Sequence, residues 1–143
     1  VRFGLDRLHR FVVDALSAVD ILPDHAEISA TRLLEADLRG RGGHGLIRLP
    51  QYIPRIEAGG INRRPIVEVI RETAVSALVD GDNGLGQVVM SRAVDTAIAK
   101  AKAAGLAWVG TVRSNHAGAA GVYTSTAVRH DLIAFYFAGP APT

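Results

Sequence analysis

Two short stretches concentrate polar, positionable side chains beside glycine. In Gly42-Gly43-His44-Gly45-Leu46-Ile47-Arg48-Leu49-Pro50-Gln51-Tyr52, a histidine and an arginine lie close together at a glycine-flanked entrance. Imidazole exchanges protons near neutral pH, and the guanidinium fork matches a carboxylate. A continuous helix would place His44, Arg48 and Tyr52 on one face, opposite Leu49 and Ile53. Pro50 suits the first turn of a helix better than its interior, so residues 44–48 also fit a preceding turn. The bland alternative is a surface histidine and arginine beside a helix cap.

The second stretch is Ser114-Asn115-His116-Ala117-Gly118, between an expected strand and an expected helix. Ligands of open α/β sheets settle at the carboxyl ends of strands, which is where His116 would lie. The helix that follows offers free N–H groups to an anion. A turn rich in Ser, Asn and Gly with an incidental histidine is the competing reading.

Other chemistries lack their residues. There is no cysteine, which removes disulfides, thiolate metal sites and a thiol nucleophile, and fits a cytoplasmic setting. The histidines at 9, 25, 44, 116 and 130 show no HxH or HExxH spacing, so no metal is expected, and His9, His25 and His130 read as solvated. Asp80 and Asp82 have no clustered third ligand, and Ser114 belongs to no nucleophile elbow. Gly81-Asp-Asn-Gly84-Leu-Gly86 has its glycines in the wrong order for a dinucleotide fingerprint; a tight strand-to-helix turn capped by Asp82 or Asn83 fits better. The net charge is +2, and basic residues gather only at Arg39/Arg41 and Arg63/Arg64, which argues against nucleic acid. Charged residues break every long apolar run, so no membrane span is expected.

The elements that would position these residues divide the 143-residue chain into a helical segment, 1–60, and the first part of an α/β domain, 61–143. Leu5, Leu8, Val12, Ala15, Leu16 and Val19 form one helical stripe. Asp24 with Glu27 resembles a capping box opening a second helix through Leu38. A third helix carries Leu49, Ile53 and Ile56 and stops at Gly59-Gly60. Short β-branched runs at 66–70 and 75–79 predict strands, 87–104 a helix ending at Gly105, and 106–112 another strand. A small-residue helix follows to about Arg129. Leu132–Ala138 is apolar on both faces and predicts a buried last strand. The fold class is therefore α/β (α+β in part). A sheet ending on such a strand is expected to be incomplete without a second chain or a C-terminal portion.

Ala36-Asp-Leu-Arg-Gly40, followed by Gly-Gly-His-Gly-Leu-Ile-Arg-Leu-Pro-Gln-Tyr52, resembles the signature of the malate/L-lactate dehydrogenase family that lacks a Rossmann fold. Asp80-Gly-Asp-Asn-Gly-Leu-Gly-Gln87 and Arg113-Ser-Asn-His-Ala-Gly-Ala-Ala-Gly-Val-Tyr123 resemble its later motifs. The resemblance covers essentially the whole chain. It implies hydride transfer between NAD or NADP and a 2-hydroxy or 2-oxo acid, with His44 as acid/base. His116 would be a second substrate contact or the acid/base itself. Arg48, with Tyr52 and Asn115, would contact the carboxylate substrate, and Gly118, Ala119 and Gly121 the cofactor.

Gly43 stands where the family usually has serine, and Ala117 where it has an aromatic residue. Family members are much longer, and their pocket commonly lies between subunits. The resemblance thus implies the N-terminal portion of an oxidoreductase in a homodimer or hetero-oligomer. A non-catalytic binding or assembly module and a cyclic imino acid reductase are the alternatives.

Overall fold

Apolar residues at helical spacing bring α1 (Leu5–Ser17) against α2 (Pro23–Leu38), with Val12, Leu16, Ala26, Ala30 and Leu33 buried between them and their neighbours. This is a computed structural model, and it describes residues 3–139. The expected capping box at Asp24 does not form. Leu22 occupies the cap and Pro23 opens the helix, where its missing N–H costs nothing. Asp24 instead accepts a hydrogen bond from the His25 backbone N–H.

Two 3-10 turns, Gly42–His44 and Leu46–Arg48, lead into α3 (Leu49–Glu57). The turn reading of residues 44–48 therefore holds, and the continuous helix does not form: Pro50 lies in the first turn of α3. Gly59, with φ +76°, ends the descent from α3 in a backbone conformation that favours glycine.

The sheet has three strands, in the order β1 (Glu68–Glu72), β2 (Ser76–Gly84), β3 (Trp108–Ser114). β1 runs antiparallel to β2, and β2 parallel to β3, so the sheet is mixed. α4 (Gly86–Ala104) is the crossover between the parallel strands, and Gly105 ends it in the left-handed region at φ +86°. β2 continues beyond the expected turn at Asp80, but its register against β3 shifts between Asp80 and Gly84. Asp82 and Asn83 take positive φ within that irregularity. Neither caps α4, whose cap is Leu85.

α4 joins the helical segment to the sheet through two buried clusters. Leu85 and Val88 pack into the cluster of Leu16, Leu33, Tyr52 and Ile56, while Val79, Val89 and Ala93 seal α4 onto the sheet. α5 (Ala120–Val128) joins α2 through Ala36, Ala119 and Val122.

The expected last strand is a correction. Residues 132–138 join no strand pair among the described residues, and Ile133, Phe135 and Phe137 are 89%, 80% and 74% exposed. Their inward neighbours are only half-buried. Tyr136 stacks on Tyr123 and Phe137 on Trp108. A run apolar on both faces becomes a strand only when a neighbour takes its backbone hydrogen bonds. The Pro140–Thr143 tail lies outside the described residues.

The first turn of α4 lies directly against the loop after β3. A Cβ at Gly86 would strike the backbone carbonyls of Asn115 and His116. Gly121, inside α5, faces open space. Gly86→Ala is therefore expected to cost about 1–3 kcal/mol, and Gly121→Ala to be neutral or to stabilise by up to about 1 kcal/mol. Urea midpoints of the two variants beside the wild type check this; equal midpoints would contradict the close approach.

Candidate active site

His44 and His116, 72 residues apart in sequence, face each other with Nδ1 of His44 3.4 Å from Nε2 of His116. Their rings are nearly parallel, inclined by 20° with centroids 5.5 Å apart. Nδ1 of His116 lies 2.7 Å from the Tyr52 hydroxyl. Gln87 Nε2 donates to that same hydroxyl across 2.9 Å. The four side chains form one row from the buried start of α4 out to an exposed imidazole. Both nitrogens of His116 are engaged, whereas Nε2 of His44 has no partner among the described residues.

Each member is held by its own element. His44 ends the first 3-10 turn, where its backbone N–H donates to the Arg41 carbonyl. The Asp37 carboxylate fixes the next turn by accepting from the Leu46 N–H at 2.8 Å. A side chain at Gly45 would occupy the space of that carboxylate. Tyr52 rises from the buried face of α3. His116 sits in the loop after β3, and Tyr123 ties that loop to α5 by donating to the Ala117 carbonyl at 2.5 Å.

Arg48 lines the same entrance. Its Nε donates to the Gly43 carbonyl at 2.7 Å and Nη1 to Gln51 at 2.9 Å, so Nη2 is left for a further partner. Asn115 has its side-chain N–H groups engaged within the fold. Its amide donates to the carbonyls of Asn83 and Gly84 and to the Asn83 side chain, at 2.8–3.0 Å. Those N–H groups clamp β2 to β3 where the register shifts, so they are not turned to a substrate.

The three cofactor candidates differ in what they present. Gly118 has φ +87° and lies beside the His44 carbonyl. Ala119 caps α5 without a side-chain hydrogen bond, and its methyl is buried against Ala36 and Val122. Gly121 is exposed. Together they offer backbone N–H groups at a helix start, which suits an anionic group.

The acidic pair Asp80 and Asp82 serves an ion-pair network. Arg113, at φ +49°, donates to both Asp80 oxygens, at 2.8 and 2.6 Å, and lies 3.4 Å from Asp82. The hydrogen bonds from Arg113 hold the Asp80 carboxyl below its ordinary value. No group of three metal-ligating side chains occurs among the described residues. His9, which meets Thr31, and His25 are both half-buried, so they are less solvated than their sequence context predicts, whereas His130 is exposed and meets Lys102.

Sequence reasoning missed Gln87, Asp37 and Tyr123. Each lay inside a quoted motif, as the last Gln of Asp80–Gln87, the Asp of Ala36–Gly40 and the final Tyr of Arg113–Tyr123. The motif boundaries were the available signal.

The family model for malate/L-lactate dehydrogenase matches residues 3–143. The chain belongs to this family. It is 42% identical over 142 residues to a malate dehydrogenase of Pyrococcus horikoshii, a match covering 99% of this chain and 39% of that protein. It is 38% identical over 133 residues to an L-sulfolactate dehydrogenase of Methanocaldococcus jannaschii, covering 93% and 39%. The solved structure of the Pyrococcus horikoshii malate dehydrogenase superposes with a TM-score of 0.87 at 44% identity, covering 91% of this chain and 37% of that one. The chain thus spans about two fifths of the length of these malate/L-lactate dehydrogenase relatives.

Desolvation lowers the His116 pKa from its ordinary value, and the Arg48 and His44 charges lower it further. The neutral ring is thus favoured in the fold, so this group's contribution to stability is full above pH about 6.5. It is lost as pH falls through the lowered value. Arg48→Gln removes one of the repelling cations and is expected to raise the His116 titration midpoint, read by NMR of the imidazole; an unmoved or lowered midpoint would contradict the electrostatic account.

Proposed function

We propose that this chain supplies the proton-transfer and carboxylate-binding residues of an NAD(P)-dependent oxidoreductase that interconverts a 2-hydroxy acid and a 2-oxo acid. The observation that carries this reading is the His44–His116 pair beside Arg48, assembled from two segments 72 residues apart. Malate and sulfolactate, named for the relatives' activities, are 2-hydroxy acids of the required kind.

In this reading His44 is the catalytic acid/base, because its Nε2 is the ring nitrogen left open to a substrate. Protonated His44 gives that proton to the oxo oxygen during reduction, and neutral His44 takes the hydroxyl proton during oxidation. Arg48 holds the substrate carboxylate through its uncommitted guanidinium edge, and Tyr52 with His116 fixes the plane of the acid/base. When bound, NAD or NADP supplies the hydride acceptor or donor. Gly118, Ala119 and Gly121 at the start of α5 would hold an anionic part of it, which their backbone N–H groups fit.

Assembly with further polypeptide belongs to the same reading. Ile133, Phe135, Phe137 and Trp108 form an exposed apolar row of the kind that an oligomer or a further segment covers. No helix of the described residues is long and apolar enough to cross a membrane; a cytoplasmic setting is part of the proposal.

A non-catalytic assembly module is the second reading. It is favoured by Gly43, where open space would admit the serine hydroxyl that this chain lacks. Turnover separates the two. With NADH or NADPH and a panel of 2-oxo acids, His44→Ala is expected to lower kcat/KM by about 10²–10⁴-fold in the natively purified protein. Hydroxy-acid oxidation, which needs neutral His44, should lose rate as the pH falls, read from the pH profile of kcat/KM. A wild type inactive with every 2-oxo acid would favour the module.

A further inference from the structure

Gln87 lies at the inner end of the row, 0% exposed, with its Nε2 on Tyr52 and its Oε1 without a partner. A buried carboxamide oxygen left unpaired costs free energy, so its retention calls for a use. The hydrogen-bond arithmetic supplies one. Tyr52 has a single O–H hydrogen. While Gln87 donates to the Tyr52 oxygen, that hydrogen is free for His116 Nδ1. His116 is then the Nε2–H tautomer, donating to Nδ1 of His44 and leaving His44 with its own proton on Nε2.

Protonated His44 needs the opposite polarity. Its Nδ1–H must find a lone pair on His116 Nε2, which moves the His116 hydrogen to Nδ1. Tyr52 then accepts from His116 and must donate inward. The acceptor it requires is the unpaired Oε1 of Gln87, reached by turning the carboxamide over. Gly118 gives room for this turn, because even an added Cβ there would sit 3.8 Å from Gln87 Nε2.

We propose that Gln87 is a positioning residue whose carboxamide reverses to match the protonation state of the His44–His116 pair, donating to Tyr52 when the pair is neutral and accepting from it when the pair is charged. No bond is made or broken at Gln87, and no net charge enters the buried end. The proposal rests on the acid/base reading of His44. The titratable or charged groups facing His116 are His44 and Arg48 from the two 3-10 turns and Tyr52 from α3. Among the residues of α4, the polar one in contact with the row is Gln87 itself.

The test is the imidazole tautomer, read from ¹⁵N shifts of labelled histidine in the natively assembled protein, with His44→Gln and His116→Gln variants assigning the signals. Neutral wild-type His116 is expected as the Nε2–H form. Gln87→Glu offers an acceptor, so neutral His116 should change to Nδ1–H and the pair should titrate at least about one pH unit higher, tenfold in proton affinity. Gln87→Met keeps the volume and loses both functions, so mixed tautomers are expected. It serves as the test if the Glu variant does not fold.

An Nδ1–H wild type, or an unchanged tautomer in both folded variants, would overturn the proposal. These signals need no turnover. A normal tautomer response in an inactive wild type would remove the dehydrogenase reading and leave the relay standing; active protein with unresponsive tautomers would do the reverse.

Discussion

The contact between the first turn of α4 and the backbone at Asn115 and His116 sets the position of everything at the site. Gly86 permits it by having no side chain, and Asn115 secures it by donating to the carbonyls across the β2 irregularity. α4 is also buried against the sheet through Val89 and Ala93 and against the helical segment through Val88. The same turn therefore fixes His116 and Gln87 relative to Tyr52 on α3. Moving it by the width of a methyl group would open the row at the 2.7 Å contact between Tyr52 and His116.

Polarity at the site is graded. Gln87 and Tyr52 are buried, His116 is partly desolvated, and His44 faces the opening. Burial raises the Tyr52 pKa, so its hydroxyl keeps the proton that the row depends on. Lost hydration, and then the Arg48 and His44 charges, favour the neutral ring of His116. Hydration makes charge least costly at the solvent end of the row. The ion-pair network of Asp80, Asp82 and Arg113 holds the adjacent strand ends without contributing a group to this row.

Much of this was legible in the sequence. Helical stripes in α1 and α3, the glycine stop after α4 and the turn forced by Pro50 all follow from local chemistry, and the two histidine stretches stood out by residue type. The family resemblance supplied their pairing; spacing alone did not. Other features depend on partners distant in the chain. Asn115 donates to the Asn83–Gly84 backbone, a partner of which its own segment gives no sign. Gln87 reads as one more residue at a helix start until Tyr52 is packed against it. Residues 132–138 read as a core strand because their composition is that of one, yet composition does not supply the neighbouring strand.

The central claim is that this pair of histidines handles the proton while hydride moves between a nicotinamide and C2 of an acid. The most direct measurement supplies the natively purified protein with C4-deuterated NADH or NADPH and a panel of 2-oxo acids, then weighs the products. The account predicts a 2-hydroxy acid carrying one deuterium at C2. Folded, assembled protein that yields no labelled product from either cofactor with any acid would contradict it.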